Sequence, residues 1–180
     1  MIAASLATLA APHTALSRPL LQGTRVSGIV QSVLGPTVTL ADGTDFDLAD
    51  STQVTLTRVG SAADLGPGQF LAITATREPD GALFASTVNI FPESDRGRSE
   101  GQRPMEGENI MTNATIDDAM IDAVSGAELT VSFFGETSVV RLGPETQVNV
   151  RSTGTIDDIG VGSRVTAVVT DGLAESVTVQ

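Results

Sequence analysis

The chain has 180 residues, and 22 acidic residues against 10 basic ones, all Arg, give it a net charge of −12. That balance makes the chain a poor candidate for binding phosphate backbones or anionic lipid, and the absence of Trp and Tyr removes the usual stacking platforms for single-stranded nucleic acid or sugar. With no cysteine, neither disulfides nor thiolate metal sites can stabilise the fold.

Met1 to Ser17 is rich in Ala and Leu and reads as the hydrophobic part of a secretory signal, with Ala15-Leu16-Ser17 as a small-x-small cleavage site. The first basic residue is Arg18, so the positively charged opening of such a signal is missing. The run Met1–Ala11 is too short to span a membrane, and Pro12-His13 interrupts it. Residues 1–23 therefore read as a signal-like segment or N-terminal tail, and the expected location is the periplasm.

Strand signals dominate from Arg25 onward. Val26, Ile29, Val30 and Val33 precede a Gly35-Pro36 turn, and Thr37–Leu40 meets Asp42-Gly43, a hairpin signal. From Thr44 to Leu48 the chain alternates, with Phe46 and Leu48 on one face and Asp45 and Asp47 on the other. Val54 and Leu56 mark the next strand. Asp64-Leu65-Gly66-Pro67-Gly68 is a connector, because Pro and Gly would break a ladder. Phe70–Ala75, an Asp80-Gly81 turn and Leu83–Ile90 complete a first unit. The second unit has strands at Ala119–Val124, Leu129–Phe134, Ser138–Leu142 and Val148–Arg151, then a connector at Asp157–Gly162. Arg164–Thr170, a turn at Asp171-Gly172 and Ala174–Val179 close it. Helix is expected only as single turns near Ala62–Leu65 and Ile156–Ile159. The six Phe lie mostly in apolar runs and read as core.

These units are copies. Thr52-Gln53-Val54 returns as Thr146-Gln147-Val148, and Asp64-Leu65-Gly66-Pro67-Gly68 returns as Asp158-Ile159-Gly160-Val161-Gly162. A repeat of this size implies two similar small domains in tandem. Short strands joined by hairpins bury an apolar face by curling into a small barrel, since an open sheet would leave long edges unpaired. The expected fold is all-β: two tandem five-stranded barrels, OB-like or secondarily SH3-like, joined by an irregular Gly/Pro/Arg/Glu linker. The expected bounds are 24–91 for the first unit, 92–115 for the linker and 116–180 for the second unit.

The linker carries a resemblance. Ile90-Phe91-Pro92-Glu93, Arg96-Gly97, Glu100-Gly101, Arg103-Pro104 and Met111-Thr112-Asn113-Ala114-Thr115 resemble a family of small exported bacterial proteins of unknown function with tandem OB-like β units. The resemblance covers roughly Arg25 to Val179. Relatives are often labelled metal transporter permeases, a role the residues contradict, since no segment here is long enough to span a membrane. A His usual in the family is Gln102 here, and an aromatic-acid pair is Met105-Glu106, so a metal-ligand role borrowed from that His does not carry over. The resemblance implies an exported β protein and no reaction.

Residue types narrow the chemistry. Without Cys, and with His13 as the sole His, a Ser or Thr nucleophile lacks its usual base, and no Lys replaces it. Gly66-Pro67-Gly68 lacks the Lys and the strand-to-helix setting of a phosphate loop. The expectation is therefore no enzyme and no cofactor. Asp42, Asp45, Asp47 and Asp50 crowd one hairpin and offer hard oxygen ligands to calcium, or else a solvated edge that resists aggregation. The linker is the leading candidate for function. Arg96, Arg98, Glu100, Arg103 and Asn113 form either a structural clasp or a site holding a carboxylate ligand or a partner's acidic loop. The expected role is a binding or accessory module with a protein partner in the cell envelope. A small-ligand or cation binder is the alternative; nucleic-acid binding, by OB analogy alone, is disfavoured by the charge.

Overall fold

A computed structural model describes residues 23–122 and 126–180. The signal-like segment lies, up to residue 22, outside them, as do the last residues of the strand expected over Ala119–Val124. The protein is all-β. Among the described residues twelve strands form one mixed sheet, with single 3-10 turns at Ala62–Asp64, Glu93–Asp95 and Ile156–Asp158. In chain order the strands are β1 (Thr24–Leu34), β2 (Thr37–Leu40), β3 (Asp45–Asp47), β4 (Gln53–Val59), β5 (Phe70–Arg77) and β6 (Leu83–Ile90). There follow β7 (Gly101–Pro104), β8 (Asn109–Asp122), β9 (Gly126–Phe133), β10 (Glu136–Gly154), β11 (Arg164–Thr170) and β12 (Leu173–Val179).

The turns obey local chemistry. Asp171 and Gly172 both have positive φ in the two-residue loop joining β11 to β12, the conformation that matches strand twist in a tight hairpin. Both connectors begin with a 3-10 turn capped alike. Asp64 accepts from the Ser61 backbone N–H at 2.9 Å, and Asp158 from the Thr155 N–H at 2.7 Å. The repeated Asp is therefore the third-position partner of a capping box, with Ser61 or Thr155 as the N-cap. The repeated Thr has an equally local role. The Thr52 hydroxyl donates to the Ala174 carbonyl at 2.8 Å, and the Thr146 hydroxyl to the Ala85 carbonyl at 2.7 Å.

Strand pairing does not follow the division into 24–91 and 116–180. One hydrophobic core joins Val38, Leu40 and Phe46 of the first repeat to Ile159, Val165 and Val177 of the second. The other joins Leu65, Leu71 and Val88 of the first repeat to Leu129, Val131 and Val140 of the second. Each core takes its opening strands from one repeat and its closing hairpin from the other. The pairings form two matching circuits. One runs β1, β2, β3, β12, β11 and back to β1. The other runs β8, β9, β10, β6, β5 and back to β8. The duplicated units are thus interlocked rather than arranged in tandem.

The physical reason lies in β4. It pairs with β12 along one edge and antiparallel with the last part of β10 along the other. In that second pairing Thr57 stands opposite Arg151, and Val54 opposite Gly154. Thr57 and Arg151 are themselves equivalent under the offset of 94 that relates Thr52 to Thr146, so a pseudo-two-fold axis passes between them. A chain leaving β4 already lies beside the second circuit. The short connector then delivers β5 and β6 to β8 and β10, where Leu65 seals that core.

The expected linker is likewise not irregular throughout. Gly101–Pro104 and Asn109–Asp122 form the β7–β8 hairpin, and Asn109–Thr115 pairs with β5. Alternation in Met111-Thr112-Asn113-Ala114 meets partners on both edges, so Thr112 and Ala114 are fully buried.

Candidate functional site

The segment from Phe91 to Pro104 forms a strap across the second circuit. It is anchored where it starts. The Phe91 N–H donates to the Phe70 carbonyl, its ring lies 6.0 Å from that of Phe70, and the Arg151 guanidinium lies 5.3 Å from the Phe91 ring centre. This last contact is a cation–π pair. Arg96 then holds the strap down. Its guanidinium clamps both carboxylate oxygens of Glu93 and donates to the Gly68 carbonyl at 2.6 Å and to the Thr115 hydroxyl at 3.5 Å. Their side-chain hydrogen bonding, helped by the opposite charges, pushes the Arg96 pKa up and holds that of Glu93 below the ordinary carboxylate value. Of the two expected roles for Arg96, these bonds are those of a clasp.

The other strap residues divide between support and display. Glu100 accepts the Phe134 backbone N–H at 3.0 Å. Asn113 is buried, donates to the Arg98 carbonyl at 3.1 Å, and leaves its own side-chain oxygen unpartnered. Gln102 ties the strap to the sheet, accepting from Arg77 at 2.9 Å and donating to Thr112 at 3.2 Å. Arg98 and Arg103 are held more loosely. Arg98 reaches Asp95 at 3.4 Å with its side chain 70% exposed, and Arg103 donates to the Ser99 carbonyl at 3.2 Å.

Two shallow depressions flank the strap. One, of about 490 Å³, is lined by Asp50, Gln53, Thr55, Asp95, Arg98 and Thr153. The other, of about 440 Å³, is lined by Glu100, Gln102, Arg103, Phe133, Phe134 and Glu136. The strap thus gathers Arg98 with Asp50 and, separately, Glu100 with Arg103.

Phe134 is the residue that sequence reasoning missed. It is 77% exposed, and with Gly135 it forms the two-residue β9–β10 turn at φ 49° and 82°. Asn, Asp or Gly usually fill that position, because a side chain with positive φ is strained. Phe46, Phe70 and Phe133 are core as expected, whereas Phe134 displays its ring beside Gly101. A signal was present: in Phe133-Phe134, alternation can send only one ring inward.

The structure does not gather the four hairpin aspartates into a metal cage. Asp42 accepts the Thr44 N–H at 2.9 Å, a local turn bond that lowers its pKa. Asp47 accepts the Thr37 hydroxyl at 2.6 Å, Asp45 is exposed, and Asp50 faces the strap groove. Among the described residues no three His, Cys, Asp or Glu side chains converge as a metal would require. The densest charge cluster lies elsewhere. Arg141 pairs with Asp80 at 2.7 Å, Glu78 at 2.8 Å and Glu128 at 3.1 Å, bridging the β5–β6 turn to β9 and β10. Among the described residues no helix is long and apolar enough to cross a membrane. No protein-family model, curated protein or solved structure matches this chain.

Proposed function

We propose that the protein is a non-enzymatic binding module, exported from the cell, that docks a protein partner of the envelope through its strap. In this reading the two closed circuits serve as small OB-like barrels, and the strap is the presented surface. One observation carries it. Phe134 is exposed in a strained turn, beside a strap that leaves Arg98 and Arg103 exposed while Arg96 is taken up by Glu93 and the Gly68 carbonyl. An exposed aromatic beside Arg is the composition of an interface anchor, and strain kept at an exposed ring points to a use for that ring. The charge of −12 argues against nucleic acid as the partner.

The test is affinity purification of the tagged protein from its host's envelope, in parallel with an Arg98→Ala/Arg103→Ala/Phe134→Asn variant. A stoichiometric partner lost in the variant is the expected result. A partner retained by the variant would move the contact away from the strap, and a protein that purifies alone in both cases would overturn the reading.

A small-ligand reading has one observation of its own, the groove between Asp50 and Arg98. Thermal shift against calcium and a panel of organic acids tests it. A bound ligand at 100-fold excess over Kd stabilises by about 2.7 kcal/mol, and no shift with any of them removes it.

A further inference from the structure

The groove beside Arg98 is assembled from three stretches of chain. Asp50 and Ser51 lead into β4, Gln53 and Thr55 belong to β4, Thr153 belongs to β10, and Ser94, Asp95 and Arg98 belong to the strap. Every residue that lines it is among the described ones. Strand pairing sets its floor. The Gly60 N–H donates to the Val148 carbonyl, and bonded and non-bonded pairs alternate from there. Thr55 and Thr153 therefore face each other as a pair without mutual backbone bonds. Side chains stand closest in such pairs, with Cβ atoms about 4.5–5.5 Å apart. Both hydroxyls lie on the sheet face opposite to Val54 and Val150, which pack into the cores.

The polar groups of this groove differ from those in the rest of the strap. Arg96, Glu100, Gln102 and Asn113 are each spent on a bond inside the protein. Among the described residues, the side chains of Asp50, Ser51, Gln53, Thr55, Ser94 and Thr153 are bonded to none, yet they line one concave volume. The charges do not cancel either. Two carboxylates, Asp50 and Asp95, meet one guanidinium. Arg98 pairs with Asp95 at 3.4 Å, so Asp50 stays uncompensated in a chain of net charge −12. A groove of that sign repels organic anions. It does not suit calcium, because among the described residues no three acidic side chains converge.

What remains is an organic cation, and the lining selects its kind. No aromatic side chain lines the groove. A quaternary ammonium is recognised by an aromatic cage. A guanidinium binds best in the plane of paired carboxylate oxygens or against a ring face. A primary ammonium is compact and sends three donors to separate acceptors. One carboxylate among hydroxyl and amide oxygens is the acceptor set it needs. We propose that this groove receives a lysine side chain of the docked protein, its ammonium held by Asp50 together with the Thr55 and Thr153 hydroxyls. The inference rests on the docking role proposed above and names the chemistry of that partner. The chain contains no Lys, so neither this protein nor a second copy of it can supply the side chain. An acidic neighbour of that lysine, drawn to Arg98, would release Asp95 to the ammonium as well.

The test is a backbone NMR titration of the full chain with the peptide acetyl-Gly-Lys-Gly-amide, whose only charge is the lysine ammonium. Saturable shifts confined to residues 50–55, 92–98 and 153–154 are expected. The same peptide with trimethyl-lysine keeps the charge but has no N–H to donate, and Asp50→Asn removes the carboxylate. Each change should weaken binding roughly tenfold. Asp45→Asn makes the same change of charge on an exposed aspartate outside the groove and should alter binding by no more than about twofold. No shifts, shifts spread over the acidic surface, equal affinity for the trimethylated peptide, or an equal loss with Asp45→Asn each overturn the proposal. The envelope purification separates this seat from the docking role. A partner lost with the strap variant but fully retained by Asp50→Asn leaves the docking role standing and removes the lysine seat. A protein that purifies alone in every case removes both.

Discussion

At the scale of single residues, repeated positions do repeated work, while the positions that break the repeat carry individuality. Asp64 and Asp158 cap equivalent turns, but only Asp64 also binds an arginine, Arg58 at 2.6 Å. That hydrogen bond and the Ser61 N–H lower the Asp64 pKa below the ordinary 3.8. The folded state therefore holds this proton less tightly than the unfolded chain does. The contribution to stability is complete above the unfolded value and is lost as pH falls through the folded one. An acid titration of thermal stability should fall below about pH 4, and Asp64→Asn should flatten that fall by lowering stability near neutrality while leaving the acid limit little changed. Phe134 breaks the repeat in the opposite sense, adding strain. Phe134→Asn should raise stability by about 1 kcal/mol by relieving the left-handed backbone, measured by denaturant unfolding, while weakening any partner bound at the strap. Gly101→Ala should do the reverse. Gly101 has φ 114°, and an added Cβ would lie 3.0 Å from the Phe134 ring, so a loss of about 1–3 kcal/mol is expected from strain at that backbone alone.

At the scale of elements, the strap shows how a segment with linker composition becomes ordered. Arg96 supplies its fastening, and the β7–β8 hairpin supplies its backbone pairing. Arg96→Ala should leave the two cores intact but release Glu93–Glu100, seen as faster proteolysis after Arg98 with little change in circular dichroism. Much of this order could be read from the sequence: the connectors, most hairpin turns and two of the three 3-10 turns fall where Gly, Pro, Asp and Ser place them. β7 could not. Gln102-Arg103 has no apolar alternation, and it becomes a strand because β8 offers an edge.

At the scale of the molecule, interlocking makes the two cores one cooperative unit. Leu40→Ala in one core and Leu71→Ala in the other should each cost about 2–5 kcal/mol. Both should shift a single unfolding transition, since β4 pairs with β12 of one circuit and with β10 of the other. A protease site inserted at Glu106–Glu108, an exposed hairpin loop, tests the same point. After cleavage the pieces should elute together and unfold together. Two separately folded fragments would indicate tandem domains instead.

The sequence by itself determined the all-β character, the position of nearly every strand and turn, and the existence of two equivalent halves. These depend on local chemistry: period-two alternation, Gly and Asp at turns, and capping carboxylates three residues after the backbone N–H they accept. Only the tertiary structure decided which strand pairs with which. Alternation states which face of a strand is buried but not against whom, and the deciding pairings, β6 with β10 and β12 with β4, are parallel and distant in sequence. It also decided that Phe134 faces solvent and that Arg96 is spent on Glu93 and the Gly68 carbonyl. Both outcomes depend on neighbours brought by the other repeat, which no local pattern encodes.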